Sequence, residues 1–308
     1  MKNIMKNVIV MAGIFASASA FTADYPSKNI RLIVPFGAGG GTDSVGRTIA
    51  NSSKDILGTN ITVMNRTSGA GAVGMSYGAQ QRADGYTLTV ITREIASLPQ
   101  MGLMQHTADD FKLIRMVNLD PAVVLVNKYS KFNNINDLIK EAKANPGAVK
   151  FASTAAPNFY LIALQKNQGI QLNAIPYNGS SEAIPSVLGG HTAVTMVTPG
   201  EAISQLRSGQ LKALGVMSKE RISYIPDVPT LMEQGVNVTS GTWRGIAAPK
   251  NTPDEIVTLL GNAFDKAMAS EDFKSFMAKG AMTIHNMNAA EFTQFVKDDT
   301  KSLSALMK

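Results

Sequence analysis

The stretch that decides the fold runs from Ile30 to Arg47 and reads "IRLIVPFGAGGGTDSVGR". An apolar run typical of a buried strand leads into a loop with four glycines between Phe36 and Thr42. The residues after the loop have the spacing of a helix that ends at Gly58. Backbone amides at such a junction are free to hold an anion. That anion is a cofactor phosphate, a reaction intermediate or a ligand that is bound and carried.

The same alternation of strand and helix continues outward from this stretch. "ITVMN" and "YTLTVIT" predict two further strands, and from about residue 120 "AVVLVN", "VKFAST", "LNAIPYN", "TAVTMVT" and "LKALGVMS" predict five more, separated by helices. This order favours an α/β fold with doubly wound sheets flanked by helices. The last 55 or so residues predict mostly helices, too few to form a domain, so we expect them to pack on the first half.

Two α/β runs and a returning helical tail predict two lobes that the chain crosses twice. We expect lobe 1 to comprise residues 21–120 plus 246–308 and lobe 2 residues 121–245, with hinge crossings near 115–125 and 240–247. This is the two-lobed architecture of a periplasmic binding protein, or Venus flytrap, which closes about its hinge.

The first twenty residues predict a cleaved signal peptide. Lys2 and Lys6 precede the apolar run "VIVMAGIF", and Ala18-Ser19-Ala20 is typical of a cleavage site after Ala20. The run is far shorter than the roughly 20 residues that span a bilayer. We therefore expect an exported, periplasmic protein.

Composition excludes several classes of site. The chain is 44% hydrophobic and 17% charged, as expected for a globular protein, and it has no cysteine for a disulfide, thiolate metal site or nucleophile. The net charge is +6 with scattered charges and one tryptophan, so we expect no nucleic-acid partner.

One motif leaves an enzyme as the alternative. "GAGAVG" at residues 69–74 matches the dinucleotide fingerprint G-x-G-x-x-G, and Glu94 lies where an acidic ribose ligand is expected, which suggests an NAD-type oxidoreductase. Residues 66–68 separate the strand "ITVMN" from Gly69, however, where a tight turn is needed. The first glycine loop, for its part, lacks the lysine and hydroxyl residue of a phosphate loop.

Candidate catalytic groups are sparse. The three histidines lie in unrelated contexts without metal-ligand spacing, and no serine lies in a G-x-S-x-G elbow. We expect a protein that is not an enzyme and has no metal or cofactor. Arg93, just after the third predicted strand, is the candidate for a second anionic group of a ligand, with Arg244 as a weaker one.

Several motifs, in order, resemble one family over about residues 25–300. They are "YPSKNIRLIVPFGAGGGTDSVGR", "ITVMNRTSGAGAVG", "ADGYTL", "DLIKEAKANPGAVKFAST", "IPYNGSSEAIPSVLGGHTAV", "SGQLKALGV", "IPDVPTLMEQG" and "WRGIAAPKNTPDEIV". They resemble the extracytoplasmic solute receptors of tripartite tricarboxylate transporters, the Bug family. The resemblance implies a Venus-flytrap receptor that binds a small organic carboxylate in the periplasm and delivers it to the membrane subunits of its transporter. We expect a monomer, and a role in feeding a membrane signalling protein stays open as a further alternative.

The resemblance also implies which residues hold the ligand. In that family, the loop after the first strand and a facing loop in the second lobe hold one carboxylate through backbone amides and water, and a third loop and the end of the strand "TAVTMVT" complete the site. Carried onto this chain, the ligand-binding residues are Phe36, Ala38, Gly39, Gly40, Thr42, Asp43, Ser153, Thr154, Ala156, Asn158, Tyr177, Gly179 and Thr198. The second loop, "STAAPNFY", departs from the family because Pro157 removes an amide, and Thr198 stands where the family often has an acidic residue. The second glycine loop, "GAGAVG", is then expected to allow close packing beside the cleft.

Overall fold

The computed structural model describes residues 25–155, 157–177 and 179–307. The predicted signal peptide with its cleavage site, and Ala156 of the predicted ligand loop, lie outside these ranges. The described strands are β1 (Ile30–Val34), β2 (Ile61–Asn65), β3 (Thr87–Thr92), β4 (Phe111–Pro121), β5 (Val123–Asn127), β6 (Lys150–Ser153), β7 (Asn173–Pro176), β8 (Val194–Val197), β9 (Leu211–Val216), β10 (Gly241–Pro249) and β11 (Ile284–Met287). The described α-helices are α1 (Gly41–Leu57), α2 (Ala72–Ala79), α3 (Glu94–Ser97), α4 (Ile135–Ala144), α5 (Phe159–Gln168), α6 (Ser180–Leu188), α7 (Pro199–Arg207), α8 (Asp254–Ala269), α9 (Glu271–Lys279) and α10 (Ala289–Met307).

The strands form two sheets, one in each lobe. The sheet of lobe 1 has the order β11-β4-β10-β3-β1-β2, and that of lobe 2 the order β7-β6-β8-β5-β9. β1 is parallel to β2 and β3, and β6 is parallel to β7 and β8, as the alternation of strand and helix predicts. β10 and β5 run antiparallel to their neighbours, so both sheets are mixed. They belong to segments that enter a lobe from the other lobe, and such a strand can enter a sheet in the opposite direction.

The lobes meet where the two crossings lie side by side. The Ala122 amide donates to the Ser240 carbonyl at 2.9 Å, and the Met217 amide donates to the Ala122 carbonyl at 2.8 Å. The sequence assigns residues 241–245 to lobe 2, whereas their register on β3 and β4 puts them in the sheet of lobe 1. The reason is that β10 is one continuous strand, so the chain returns to lobe 1 at its first residue, Gly241.

Helices cover both faces of each sheet. In lobe 1, α1, α8 and α9 bury one face, and α2, α3 and α10 bury the other around Trp243 and Phe292. In lobe 2, α4 and α5 cover one face, and α6 and α7 cover the other. This two-sided packing brings the helices that follow β1, β6, β7 and β8 to the carboxyl ends of their strands, where ligands of open α/β sheets bind.

"GAGAVG" is a packing device in this fold. A Cβ on Gly74 would lie 2.4 Å from the Arg66 carbonyl oxygen and 2.6 Å from the Cα of Pro35, so only glycine lets α2 lie this close to the end of β1. Gly71, at the start of α2, has a φ of +94°, which favours glycine. The glycines are thus explained by backbone geometry without a nucleotide.

Candidate functional site

The amino end of α1 is an uncapped helix start. Gly40 precedes the first helical residue, and no side chain caps the helix. The Ser44 amide makes the first bond of the helix, to the Gly40 carbonyl at 2.9 Å. The amides of the preceding turn, from Gly41 onward, therefore have no intrahelical acceptor and carry the positive end of the helix dipole. This geometry suits a carboxylate or a phosphate.

Asp43 shapes the loop that leads into this helix. Its Oδ2 accepts from the Gly39 amide at 2.8 Å and from Arg47 Nε at 2.9 Å, and its Oδ1 accepts from Asn65 Nδ2 at 2.8 Å. Asn65 also donates to the Phe36 carbonyl at 2.9 Å. Burial alone raises the pKa of Asp43, but the hydrogen bonds outweigh burial and hold that pKa below its usual value of 3.8. Asp43 is an ionised brace of the loop.

This brace changes the role of one predicted amide donor. The Gly39 amide is taken by Asp43, so it is not available to a ligand in this geometry. Ala38 and Gly40 lie exposed in the same loop, and the Gly40 amide makes only a long bond of 3.4 Å to the Gly37 carbonyl. The Phe36 ring lies against the second glycine loop, where a Cβ on Gly71 would be 3.1 Å from it.

Arg244 of β10 lies over the helix start. Its Nε donates to Thr42 Oγ1 at 3.0 Å, and its Nη1 donates to Asp120 Oδ2 at 3.1 Å and to Asn118 Oδ1. Its Nη2 would be 3.1 Å from a Cβ on Gly41, so glycine at that position leaves room for the guanidinium. Arg244 is only 9% exposed, and it adds a fixed positive charge to the uncapped end of α1.

Arg93 has a different place from the one that the sequence predicts. It forms a two-bond ion pair with Asp299 of α10, with Nε–Oδ2 at 3.2 Å and Nη2–Oδ1 at 3.1 Å. Its Nη1 donates to Ser240 Oγ and to the Gly241 carbonyl at the second crossing. All three guanidinium nitrogens thus have partners in the protein. Arg93 ties β3, α10 and the hinge together, and it lies 6.0 Å from the Phe159 ring of lobe 2.

The second lobe presents the amino end of α5. Asn158 caps this helix, since its Oδ1 accepts from the Leu161 amide at 3.1 Å. Because Oδ1 is fixed in this way, the other side-chain atom is the Nδ2 donor, which is buried and has no acceptor in the described part of the chain. Ser153 bonds to its own loop, with Oγ donating to the Ala155 carbonyl at 2.7 Å, and Thr154 is half-buried beside it.

Two further helix starts complete the lobe 2 side. Gly179, with φ +128°, precedes α6, and its carbonyl accepts from the Ala183 amide at 3.1 Å. Thr198 precedes α7, and both its amide and its hydroxyl donate to Glu201 Oε2, at 2.7 and 2.9 Å. An acidic group is therefore present beside Thr198, supplied from one turn along the helix. The Tyr177 hydroxyl bonds instead to Ser186 at 2.7 Å, within lobe 2.

Tyr160, in the first turn of α5, packs against the core of lobe 2. Burial raises its pKa well above the usual value, and charges of both lobes also act on it. Glu201 and Glu94 raise the pKa further, whereas Arg93 and Arg244 lower it. Tyr160 is therefore within electrostatic range of both the start of α7 and the arginines of lobe 1.

Comparison with known proteins identifies the family. The family model described as "Tripartite tricarboxylate transporter family receptor" matches residues 45–308. The chain belongs to this receptor family. BugT of Bordetella pertussis is 34% identical over 285 residues, covering 90% of this chain and 87% of BugT. A TctC solute binding protein from Polaromonas, solved without ligand, is 31% identical with a TM-score of 0.81, covering 92% of this chain and 99% of that one.

Two proteins from Rhodopseudomonas palustris share the fold of the receptor at lower identity. MatC, solved with bound malate, has a TM-score of 0.79 at 22% identity and covers 92% of this chain and 100% of its own. The other, solved with adipate, has a TM-score of 0.82 at 24% identity and covers 92% of this chain and 97% of its own. The two-lobed α/β fold is confirmed, and the family consists of solute-binding receptors.

In the described part of the chain, no helix has the length and apolar character needed to cross a bilayer. Over the same residues, no cluster of three or more acidic or histidine side chains has the arrangement of a metal site.

The local sequence gives little weight to two residues of the candidate site. Tyr160 falls inside the quoted second loop, but nothing local marks it as a residue on which charges of both lobes act. Arg244 was ranked below Arg93, because the partners that occupy Arg93 are far away in sequence. Placing "WRGIAAP" on a strand beside the first glycine loop would have favoured Arg244.

Proposed function

We propose that the receptor captures a small organic carboxylate in the cleft between its lobes and delivers it to the membrane subunits of a tripartite tricarboxylate-type transporter. The proposal includes secretion to the periplasm through the signal peptide, action as a monomer, and no catalysis. The malate and adipate of the two R. palustris proteins support carboxylates as the class of ligand to test first.

One observation supports the proposal most strongly: unsatisfied hydrogen-bond donors lie at helix starts on both sides of the cleft. On lobe 1 these are the amides at the uncapped start of α1, from Gly41 onward. On lobe 2 it is the buried Asn158 Nδ2 at the start of α5. A buried donor without an acceptor destabilises a protein by about 1–3 kcal/mol. A carboxylate accepts from several donors at once, so it would satisfy both sets.

The binding steps follow from these positions. The ligand enters while the lobes are apart, and its carboxylate binds the lobe 1 amides, which Asp43 holds in place through the loop. Closure brings the start of α5 onto the same carboxylate. Because the closed state adds donors from lobe 2, the ligand binds that state more tightly and shifts the population toward it.

Replacing Asn158 by aspartate tests this arrangement. Asn158→Asp keeps the oxygen that caps α5 but exchanges the Nδ2 donor for a second carboxylate oxygen, which repels an anion. We expect binding of succinate, malate or adipate, measured by isothermal titration, to weaken at least about 100-fold, since both a charge-assisted bond and an attraction are lost. Because the new oxygen is buried, we expect the melting temperature without ligand to fall, so the titration is done well below it.

Asn134→Asp is the matched control. Asn134 caps α4 in the same way, accepting from the Asp137 amide at 3.0 Å, and it lies on the far side of lobe 2 from the α5 start. This variant should bind like the wild type. Equal affinities of the Asn158 and Asn134 variants would remove Asn158 from the site. Thermal shifts with NAD or NADP, and none with any carboxylate, would favour the oxidoreductase alternative.

A further inference from the structure

The guanidinium of Arg244 has one nitrogen, Nη2, that the described residues leave without an acceptor. Its Nε and Nη1 donate to Thr42, Asn118 and Asp120. Because the partners lie on α1 and on β4, these bonds fix the orientation of the guanidinium plane. No acceptor of the described residues bonds Nη2, which lies over Gly41 at the start of α1. The free edge and the free amides of α1 therefore share one small volume.

The position of this edge depends on a glycine. A Cβ at residue 41 would be 3.1 Å from Nη2 and 3.7 Å from the central carbon of the guanidinium, which is tighter than ordinary van der Waals contact for Nη2. With glycine, a single carboxylate can accept from Nη2 with one oxygen and from an amide of α1 with the other. Such a pairing combines the planar donor of arginine with the helix start.

The charges around Arg244 leave its outer side cationic. Its partner Asp120 is only 2% exposed, and Asp120 Oδ1 is occupied by the Asn118 side chain and the Thr283 amide. The other nearby carboxylate, Asp43, is paired with Arg47 at 2.9 Å. Burial raises the pKa of Asp120 more than Arg244 lowers it, because the buried carboxylate has lost its contact with water. An incoming anion thus meets the guanidinium edge rather than Asp120.

Arg244 also reaches toward the second lobe. Its charge lowers the pKa of Tyr160, in the first turn of α5. The guanidinium lies over the start of α1 and is within electrostatic range of the first turn of α5. Backbone N–H groups donate to any hydrogen-bond acceptor of suitable shape, including the oxygen of a neutral amide group. A fixed guanidinium adds a preference for charge.

We propose that Arg244 contacts the ligand directly and selects ionised carboxylates over neutral analogues of the same shape. The Nη2 edge donates to one carboxylate oxygen while the α1 amides hold the other. The proposal rests on the proposed function and specifies its site. It differs from a purely structural role of Arg244, in which the residue only ties α1 to β4 and β10.

The test compares matched pairs of variants and matched pairs of probes. Arg244→Lys keeps the charge but cannot bond Thr42 and Asp120 and still present a second edge. The double variant R244M/D120N removes both charges, so no buried charge is left alone. Arg115→Lys and R115M/D265N are the controls: Arg115 lies on the adjacent strand β4, has a two-bond ion pair with Asp265 at 2.7 Å, and its side chain is 12% exposed against 11% for Arg244.

Isothermal titration with succinate, malate, adipate and the diamide of the tightest binder measures affinity and charge preference. The wild type should prefer the acid by about 100-fold or more, and Arg244→Lys should weaken acid binding by about 10- to 100-fold. The double variant R244M/D120N should bind acid and diamide within about tenfold of each other. The Arg115 variants should keep the wild-type preference. Fluorescence of Trp243, the one tryptophan of the chain and the neighbour of Arg244, gives a second readout.

A bromide soak of wild-type crystals locates the anion site without knowledge of the ligand. An anomalous peak between Arg244 Nη2 and the Gly41 amide supports the proposal. Wild-type affinity and preference in Arg244→Lys, together with lost binding in Asn158→Asp, would overturn the role of Arg244 and leave the proposed function intact. If none of the three acids binds the wild type, the carboxylate function falls; a bromide ion at Arg244 would then keep the residue as an anion site, and no bromide there would remove it.

Discussion

At the scale of single residues, Asp43 shows how a buried charge can hold the shape of a loop. Each of its oxygens has at least one donor, and those donors come from the loop, from α1 and from the end of β2. The carboxylate therefore joins three segments at the place where the first glycine loop must keep its shape. The glycines allow the loop many backbone conformations, and the hydrogen bonds of Asp43 fix one of them.

The lowered pKa of Asp43 predicts a particular dependence of stability on pH. A carboxylate whose folded pKa is below its unfolded value stabilises the fold fully above the unfolded pKa and loses this effect as pH falls through the folded pKa. We expect Asp43→Asn to lower the free energy of unfolding by about 1–2 kcal/mol at neutral pH. The difference from the wild type should stay constant down to about pH 5 and shrink below the usual pKa of 3.8.

Urea denaturation across this pH range measures the difference. Asp55→Asn, on the exposed side of the same helix, is the control and should differ little from the wild type at any pH. A deficit of Asp43→Asn that persists unchanged well below pH 3 would show that ionisation of Asp43 is not what braces the loop.

At the scale of elements, the second glycine loop illustrates why a sequence motif needs its structural context. Its spacing fits a dinucleotide fingerprint, but Gly74 is required because α2 lies against Pro35 and the Arg66 carbonyl. Further along α2, a Cβ on Gly78 would lie 1.9 Å from Thr89 Oγ1 of β3, so glycine is also required one turn later. The glycines of this helix form a flat face on the sheet.

Replacing Gly74 by alanine tests the packing role. The new methyl group has no space, so we expect the free energy of unfolding to fall by about 1–3 kcal/mol, measured by urea denaturation. Gly37→Ala is the control, because nothing lies within 4 Å of a Cβ there and its φ is not in the left-handed region. A Gly74→Ala protein as stable as the wild type would show that α2 shifts freely on the sheet.

The same elements show how far sequence reasoning reaches. Strands with a continuous apolar pattern, such as β1, β3 and β5, were predicted, and so was the glycine loop before α1. The pattern did not predict β4, β10 or β11. β4 carries Arg115 and Asp120 among its apolar residues, and these charges are tolerated because their partners lie on α8 and β10. A local pattern contains no information about such distant partners, and for the same reason it does not show which groups Arg93 and Arg244 bond in the fold.

At the scale of the whole molecule, the lobes contact each other away from the hinge. The Tyr224 hydroxyl of lobe 2 donates to the Met282 carbonyl of lobe 1 at 2.7 Å. Close by, a Cβ on Gly200 at the start of α7 would lie only 2.5 Å from the Gly280 carbonyl oxygen. The C-terminal helix α10 is anchored on lobe 1, and Leu306 near its end packs against the core of lobe 2. These contacts hold the lobes together around the candidate site.

Gly200 offers a way to alter closure without touching the ligand. Within a helix, alanine is more favourable than glycine by up to about 1 kcal/mol, so Gly200→Ala should not destabilise lobe 2. Its methyl group would collide with the Gly280 carbonyl only when the lobes are together, at a cost of about 1–3 kcal/mol.

Ligand binding and closure are linked, so we expect carboxylate binding to weaken by roughly 5- to 150-fold in Gly200→Ala. The radius of gyration at saturating ligand, measured by small-angle X-ray scattering, should exceed that of the wild type. Gly189→Ala is the control, since the atoms nearest to a Cβ there belong to His191 and Pro185 of lobe 2, and it should leave both measurements unchanged. Wild-type scattering and affinity in Gly200→Ala would mean that the contact between Gly200 and Gly280 is not part of the ligand-bound state.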